Sequence, residues 1–210
     1  MPAAALAHAD STGQDLVVTF GDGQTVLEHE LVAYDPVAQT GELWFRVPAL
    51  SDVDNAFFLY YANDTATPAA GSAWTADHLA VYHFTEDPSL GTLKDWGPNA
   101  RDAVAAERPG GPLGPGWTTS NLVDGAVGQG WEFDGVDLYT YCNNVVSADS
   151  SFTISAWFAN SPAVDKGATA FQAPNGMWDI SFQRRGGDPN AGMRANGTMS
   201  WLPDILDADM

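Results

Sequence analysis

Basic residues are scarce: 8 Lys and Arg stand against 27 Asp and Glu over 210 residues, a formal net charge of -19. A chain so short of cations cannot hold a polyanion through bulk charge, which argues against nucleic acid as a partner. Cysteine occurs once, at Cys142, so an internal disulfide is excluded, and neither Cys142 nor the four histidines fall at the spacing of a structural zinc site. Cysteine usage therefore does not report the redox compartment. Long apolar runs are missing as well. Asp, Gly, Pro or Asn interrupts every stretch, residues 56–61 included, well short of the roughly 18 residues a span needs, so no direct membrane span is expected. The opening Met-Pro-Ala-Ala-Ala-Leu-Ala-His-Ala ends like a cleavage site, but it lacks a basic start and its apolar core is too short, so it is not read as a signal peptide. There is no Gly-rich phosphate loop and no Gly-x-Ser-x-Gly elbow.

What is present is enough apolar material, 45% of residues, to bury a core. Gly (21) and Pro (13) are scattered between short runs of Val, Ile, Phe, Tyr, Trp and Thr, the punctuation of an all-β chain. In residues 43–47, Leu43, Phe45 and Val47 share one face while Trp44 and Arg46 take the other, and Pro48 stops the strand. Residues 16–20 run into the turn Gly21-Asp22-Gly23, and residues 57–61 run toward Asn63. Further strands are expected over 79–84, 128–133, 151–158 and 177–183, with a long irregular segment over 87–119. The small-residue stretch over 65–76 is the expected junction, placing domains at 1–74 and 75–210.

Within residues 13–61, Gly-Gln-Asp-Leu, the Asp-Gly turn, Leu-Trp-Phe-Arg-Val-Pro and Tyr-Tyr-Ala-Asn follow in an order that resembles the bacterial DUF2341 family, with Ala62 where that family has Gly. Residues 79–158 carry Leu-Ala-Val-Tyr-His-Phe, Asp-Trp-Gly-Pro-Asn-Ala-Arg-Asp, Trp-Glu-Phe-Asp-Gly-Val-Asp and Ser-Phe-Thr-Ile-Ser-Ala-Trp. These are similar to the laminin-G/concanavalin-A-like jelly rolls of bacterial surface proteins. The resemblance implies tandem antiparallel β-sandwiches, the second an incomplete jelly roll that needs the rest of its parent polypeptide. An incomplete sandwich exposes strand edges, so aggregation of the isolated chain is expected. The resemblance further implies an exported, cell-surface or periplasmic protein whose module binds carbohydrate or a cell-surface polymer without catalysis. Two alternatives follow from the same likeness: a periplasmic arm of an ExbB/TolQ-like transport protein, and a degenerate glycoside hydrolase.

The residues themselves weigh these readings. Glu132-Phe-Asp134-Gly-Val-Asp137 has the carboxylate spacing of a Glu-x-Asp-x-x-Glu glycosidase strand. However, Gly135 favours a tight turn in which Asp134 caps its own backbone, and the last position is Asp, so no catalytic residue is assigned. Asp95, Asn99 and Asp102 gather oxygens in one loop where Ca²⁺ is conceivable, although Asp-x-Gly-x-Asn is also an ordinary turn; no other cofactor is implied. Of the eight tryptophans, Trp157, lying opposite Phe152, Ile154 and Phe158 on an extended run, is the first candidate sugar platform. Trp96 and Trp117 follow as loop residues. His78 and His83 are expected on opposite faces, unable to share a metal, and Glu28 and Glu30 on one exposed face. Arg184 and Arg185 diverge on a strand, and the sequons at Asn63 and Asn196 matter only on a eukaryotic secretory route.

Overall fold

The computed structural model describes residues 1–63, 65–66, 72–108, 116–142, 145, 151–158, 168–172, 178–185, 188–195 and 198–203. Among them it is an all-β protein: α1 (Ala3–His8) is the lone α-helix, and every strand pairing is antiparallel. The chain divides into two compact units, Met1–Val145 and Val146–Met210.

In the first unit, β1 (Val17–Phe20) pairs with β4 (Phe57–Tyr60), Val17 opposite Tyr60 and Phe20 opposite Phe57. The β-branched and aromatic content of these runs suits a pleated surface. The turn after β1 is held by Asp22, whose carboxylate accepts from the Gln24 and Thr25 amides at 2.9 and 2.8 Å and from the Thr25 hydroxyl. That hydroxyl, followed by the two amides, holds the Asp22 carboxyl below its ordinary range. β2 (His29–Asp35) and β3 (Thr40–Phe45) form a hairpin whose turn is closed by Asp35, accepting from the Val37 and Ala38 amides. The alternation expected over 43–47 is present over residues 43–45, with Phe45 packed edge-on against Phe57 and Trp44 on the other side, but β3 ends at Phe45, short of the stop expected at Pro48.

Further along, β5 (Thr92–Leu93), β6 (Ala103–Glu107) and β9 (Leu138–Tyr141) make a three-stranded sheet in that order, and β7 (Leu122–Asp124) pairs with β8 (Gln129–Trp131). Leu93, Ala103 and Trp131 are buried together, with Tyr82, Phe84, Trp117, Leu122 and Cys142 packed against them. Burying a leucine such as Leu93 contributes about 1.5–3 kcal/mol. The Arg101 carbonyl accepts from both the Tyr82 hydroxyl (2.6 Å) and the Cys142 thiol (3.3 Å). Burial, and then the neighbouring thiol, push the Tyr82 phenol well above its usual range.

The second unit holds a meander of β10 (Ala168–Gln172), β11 (Trp178–Arg185), β12 (Asp188–Ala195) and β13 (Thr198–Pro203), each hydrogen-bonded to the next. The strand expected over 177–183 is therefore present as β11.

Three expectations need correction. The strand over 79–84 does not form: Val81 gives its amide to Asp95 and its carbonyl to the Trp96 amide, and Phe84 sits at φ 56, which breaks an extended run. Residues 151–158 form no strand either. Phe152, Trp157 and Phe158 are all exposed and Ile154 is half-buried, so the alternation does not sort these side chains into a buried and an open face. The junction expected at Trp74 lies within the first unit, because the Trp74 indole donates to Glu30 at 2.7 Å and its ring packs on Trp44.

Candidate functional site

Two aromatic assemblies in the first unit arise from different placements of the same kinds of residue. The first is interior. β2 carries Glu30 and β3 carries Glu42, on neighbouring strands, and the irregular segment after Trp74 brings His83 between them. The His83 Nε2–H donates to Glu30 Oε2 at 3.0 Å, and Nδ1 lies 3.7 Å from Glu42 Oε1. Each carboxylate also accepts an indole N–H: Trp74 to Glu30 Oε2 at 2.7 Å and Trp44 to Glu42 Oε1 at 2.6 Å. The rings of Trp44, Trp74 and Trp96 stand 5.4, 5.8 and 5.5 Å from the imidazole. The imidazole and the Trp74 indole supply hydrogen-bond donors to Glu30 and the Trp44 indole one to Glu42 Oε1, which offsets part of the cost of burial, whereas Glu42 Oε2 is buried without a hydrogen-bond partner among the described residues. Gly128, at φ 60, lies directly against the Glu42 carboxylate, and a Cβ there would collide with Oε2.

Trp96 is thus committed to the interior. Its indole donates to Glu86 Oε1 at 3.0 Å, one side meets His83, and the Lys94 ammonium sits 3.6 Å from its ring centroid. Trp117 is likewise engaged, donating to the Ala106 carbonyl at 3.0 Å and packing on Trp131 and Phe133. Trp157 is 73% exposed, the most open of the three expected platforms.

The loop expected to gather oxygens uses them internally. Asp95, 5% exposed, accepts from the amides of Val81 and Gly97 through Oδ1 and from that of Arg101 through Oδ2, all at 2.7–2.8 Å. Asp102 accepts from the Asp95 amide, and the Asn99 amide nitrogen donates to the His78 carbonyl. Asp95 and Asp102 are brought together and Asn99 is turned away. Among the described residues no group of three or more His, Cys, Asp and Glu is arranged to hold a metal ion.

Asp134 closes the turn expected of it, its Oδ1 accepting from Val136, Asp137 and Leu138 amides at 2.9–3.1 Å, with Gly135 at φ 67. Burial alone would raise its carboxyl, but the amides of Val136, Leu138 and Asp137 outweigh it and hold it below the usual carboxylate range. Glu28 forms an ion pair with Arg46, whereas Glu30 is drawn inward. His78 accepts from the Thr75 amide and packs on Trp74, away from His83's carboxylates. Arg184 and Arg185 end β11, their side chains outside the described residues, as is Asn196; Asn63 Oδ1 accepts from Thr65.

The second aromatic assembly faces outward. In β9, Leu138 is buried while Tyr139 and Tyr141 are 38% and 43% exposed, their rings 5.9 Å apart and tilted by 32°. Across the pairing, Ala106 stands opposite Tyr139 and Val104 opposite Tyr141, with Thr92 opposite Val104. The alternation Leu-Tyr-Thr-Tyr-Cys signals such a face, but it lies just past the turn at Asp134, beyond the run read as a strand. Comparison with family models, with curated proteins and with solved structures finds no match to this chain. Among the described residues no helix is long and apolar enough to cross a membrane.

Proposed function

We propose that this chain is a non-catalytic carbohydrate-binding or adhesion module, of the concanavalin-A-like jelly-roll kind, belonging to an exported bacterial protein. The observation that carries the reading is the exposed tyrosine pair of β9, whose rings share one sheet face. Aromatic faces pack against the apolar faces of sugars, and a binding site without chemistry needs little more than such faces and a few polar groups. The absence of catalysis is supported by the carboxylates: Asp134 and Asp95 spend their oxygens on backbone amides, and Glu30 and Glu42 accept indole N–H groups beside His83. The sequence resemblance to DUF2341 and laminin-G modules supplies the cellular setting, a surface or periplasmic one. Affinity electrophoresis of the full chain through gels containing soluble polysaccharides tests the reading. Retardation by at least one polymer, with no release of reducing ends, is expected; release that depends on Glu132 would replace it with a glycosidase.

A further inference from the structure

Resting on the carbohydrate-binding reading, the geometry points to a specific site and ligand class: the outward face of β5, β6 and β9 takes an internal stretch of an extended, uncharged polysaccharide along the Tyr139–Tyr141 line. Thr92, Val104, Ala106, Tyr139 and Tyr141 share this face by strand alternation and register, and none carries a charge. That is notable in a chain with 27 acidic residues.

Charge sets the ligand. A net charge of -19 repels an anionic polymer, and Thr92, Val104, Ala106, Tyr139 and Tyr141 offer no ammonium or guanidinium to hold a carboxylate or sulfate; Arg108 stands just past the end of β6. Shape sets the mode of binding. The two rings come from alternate residues of one strand, and small or short side chains stand opposite them, Ala106 beside Tyr139 and Val104 beside Tyr141. Among the described residues the result is a shelf rather than a pocket, suited to carrying successive sugars on successive rings more than to gripping a chain end. The ring centroids stand 5.9 Å apart on alternate residues of one strand, so a chain lying along the strand would meet the two rings in succession. Two-ring engagement makes binding depend on chain length, because a single sugar meets only one platform. The tyrosine hydroxyls supply polar contacts at the ring edges.

The test uses the full chain and four proteins: parent, Tyr139→Ala, Tyr141→Ala and the double variant, with Tyr139→Phe/Tyr141→Phe as a ring-preserving control. Affinity electrophoresis and calorimetry are run against a neutral β-glucan, a neutral mannan, short oligosaccharides of the same linkages, and alginate as a polyanion. Expected is binding to a neutral polymer that weakens roughly tenfold with either alanine, disappears with both, and survives in the phenylalanine control. Short oligosaccharides bind more weakly, and alginate does not bind. An unchanged thermal midpoint for each variant separates lost contact from lost fold. If the parent binds a neutral polymer and the double alanine variant binds it equally, this site is wrong while the module reading stands. If no member of the panel binds, the module reading falls too. Tighter binding of alginate, or of single sugars, overturns the ligand class. A parent dimer that the double alanine variant converts to a monomer in sedimentation would assign the face to a second copy of this chain.

Discussion

The cage around His83 and the shelf of Tyr139 and Tyr141 contain similar aromatic chemistry, yet one is an organ of stability and the other an exposed surface. The difference lies in where the polar ends go. In the cage, each of the three tryptophan N–H groups has a carboxylate acceptor, Trp44 from Glu42 two residues before it on β3 and Trp74 and Trp96 from Glu30 and Glu86 elsewhere in the chain, and the rings close on the imidazole. On the shelf, the described neighbours of the rings are each other and the short side chains across the pairing, and solvent reaches both. Aromatic content alone therefore says little about binding. What separates core from platform is whether the fold supplies partners for the polar edge and a cover for the face.

The sharpest way to break this comparison is to exchange the expected costs. His83→Ala leaves two buried carboxylates facing each other without their imidazole and is expected to destabilise by about 3–5 kcal/mol, read as a shift of the urea midpoint. The double alanine variant of the shelf should move the same midpoint by less than about 1 kcal/mol. Equal costs would mean that the tyrosines are structural and that the contrast is false. Next in size is Asp95→Ala, which strands the amides of Val81, Gly97 and Arg101 and should cost about 2–3 kcal/mol. Because those oxygens are already engaged, Ca²⁺ or a chelator is expected to leave the thermal midpoint of the parent unchanged. A chelator-sensitive melt would restore Asp95, Asn99 and Asp102 as cation ligands.

Much of this fold was legible where local chemistry decides it. The turns at Asp22 and Asp134 follow from short carboxylates that bond their own backbone, and β1, β3, β4 and β11 from alternating apolar runs beside them. The cage was not legible. Glu30 and His83 lie 53 positions apart, and nothing at either end of that separation encodes the other. Residues 151–158 show the converse failure: a clean alternation forms no strand there, since period two describes a strand's faces and not its partner. Trp96 and Trp117 were candidates as loop residues; both are half-buried and their indoles donate to Glu86 and to the Ala106 carbonyl, contacts beyond the reach of any local pattern.

A smaller effect tests the turn chemistry through pH. The Asp134 carboxyl is held below its ordinary range in the folded chain, so its contribution is complete above the unfolded value of about 3.9 and is lost as pH falls through the folded one. Asp134→Asn keeps an oxygen for the three amides but does not titrate. The gap between the thermal midpoints at neutral pH and near pH 3 should therefore narrow slightly in the variant, and an unchanged or wider gap would remove Asp134 from the acid limb.

The smallest change runs the other way, toward stability, at the end of β4. Ala62 adopts φ 62, the left-handed region that costs an L-residue with a Cβ about 1–2 kcal/mol. The conformation is imposed: Asp15, 4% exposed, takes the Ala62 amide at 2.6 Å and the Asn63 amide at 3.3 Å on Oδ2, while Oδ1 takes the Asp10 amide. Relaxing Ala62 into an extended shape would forfeit those bonds to a buried carboxylate, so the chain keeps them and tolerates the strain. Glycine at this position enters the left-handed region freely but loses more conformational freedom on folding, about 0.4–1 kcal/mol. The relief exceeds that loss, and Ala62→Gly should stabilise by roughly 0.5 kcal/mol, visible as a small rise in the urea midpoint with an unchanged slope. A destabilised glycine variant would show that the Asp15 anchor, rather than backbone strain, governs this corner.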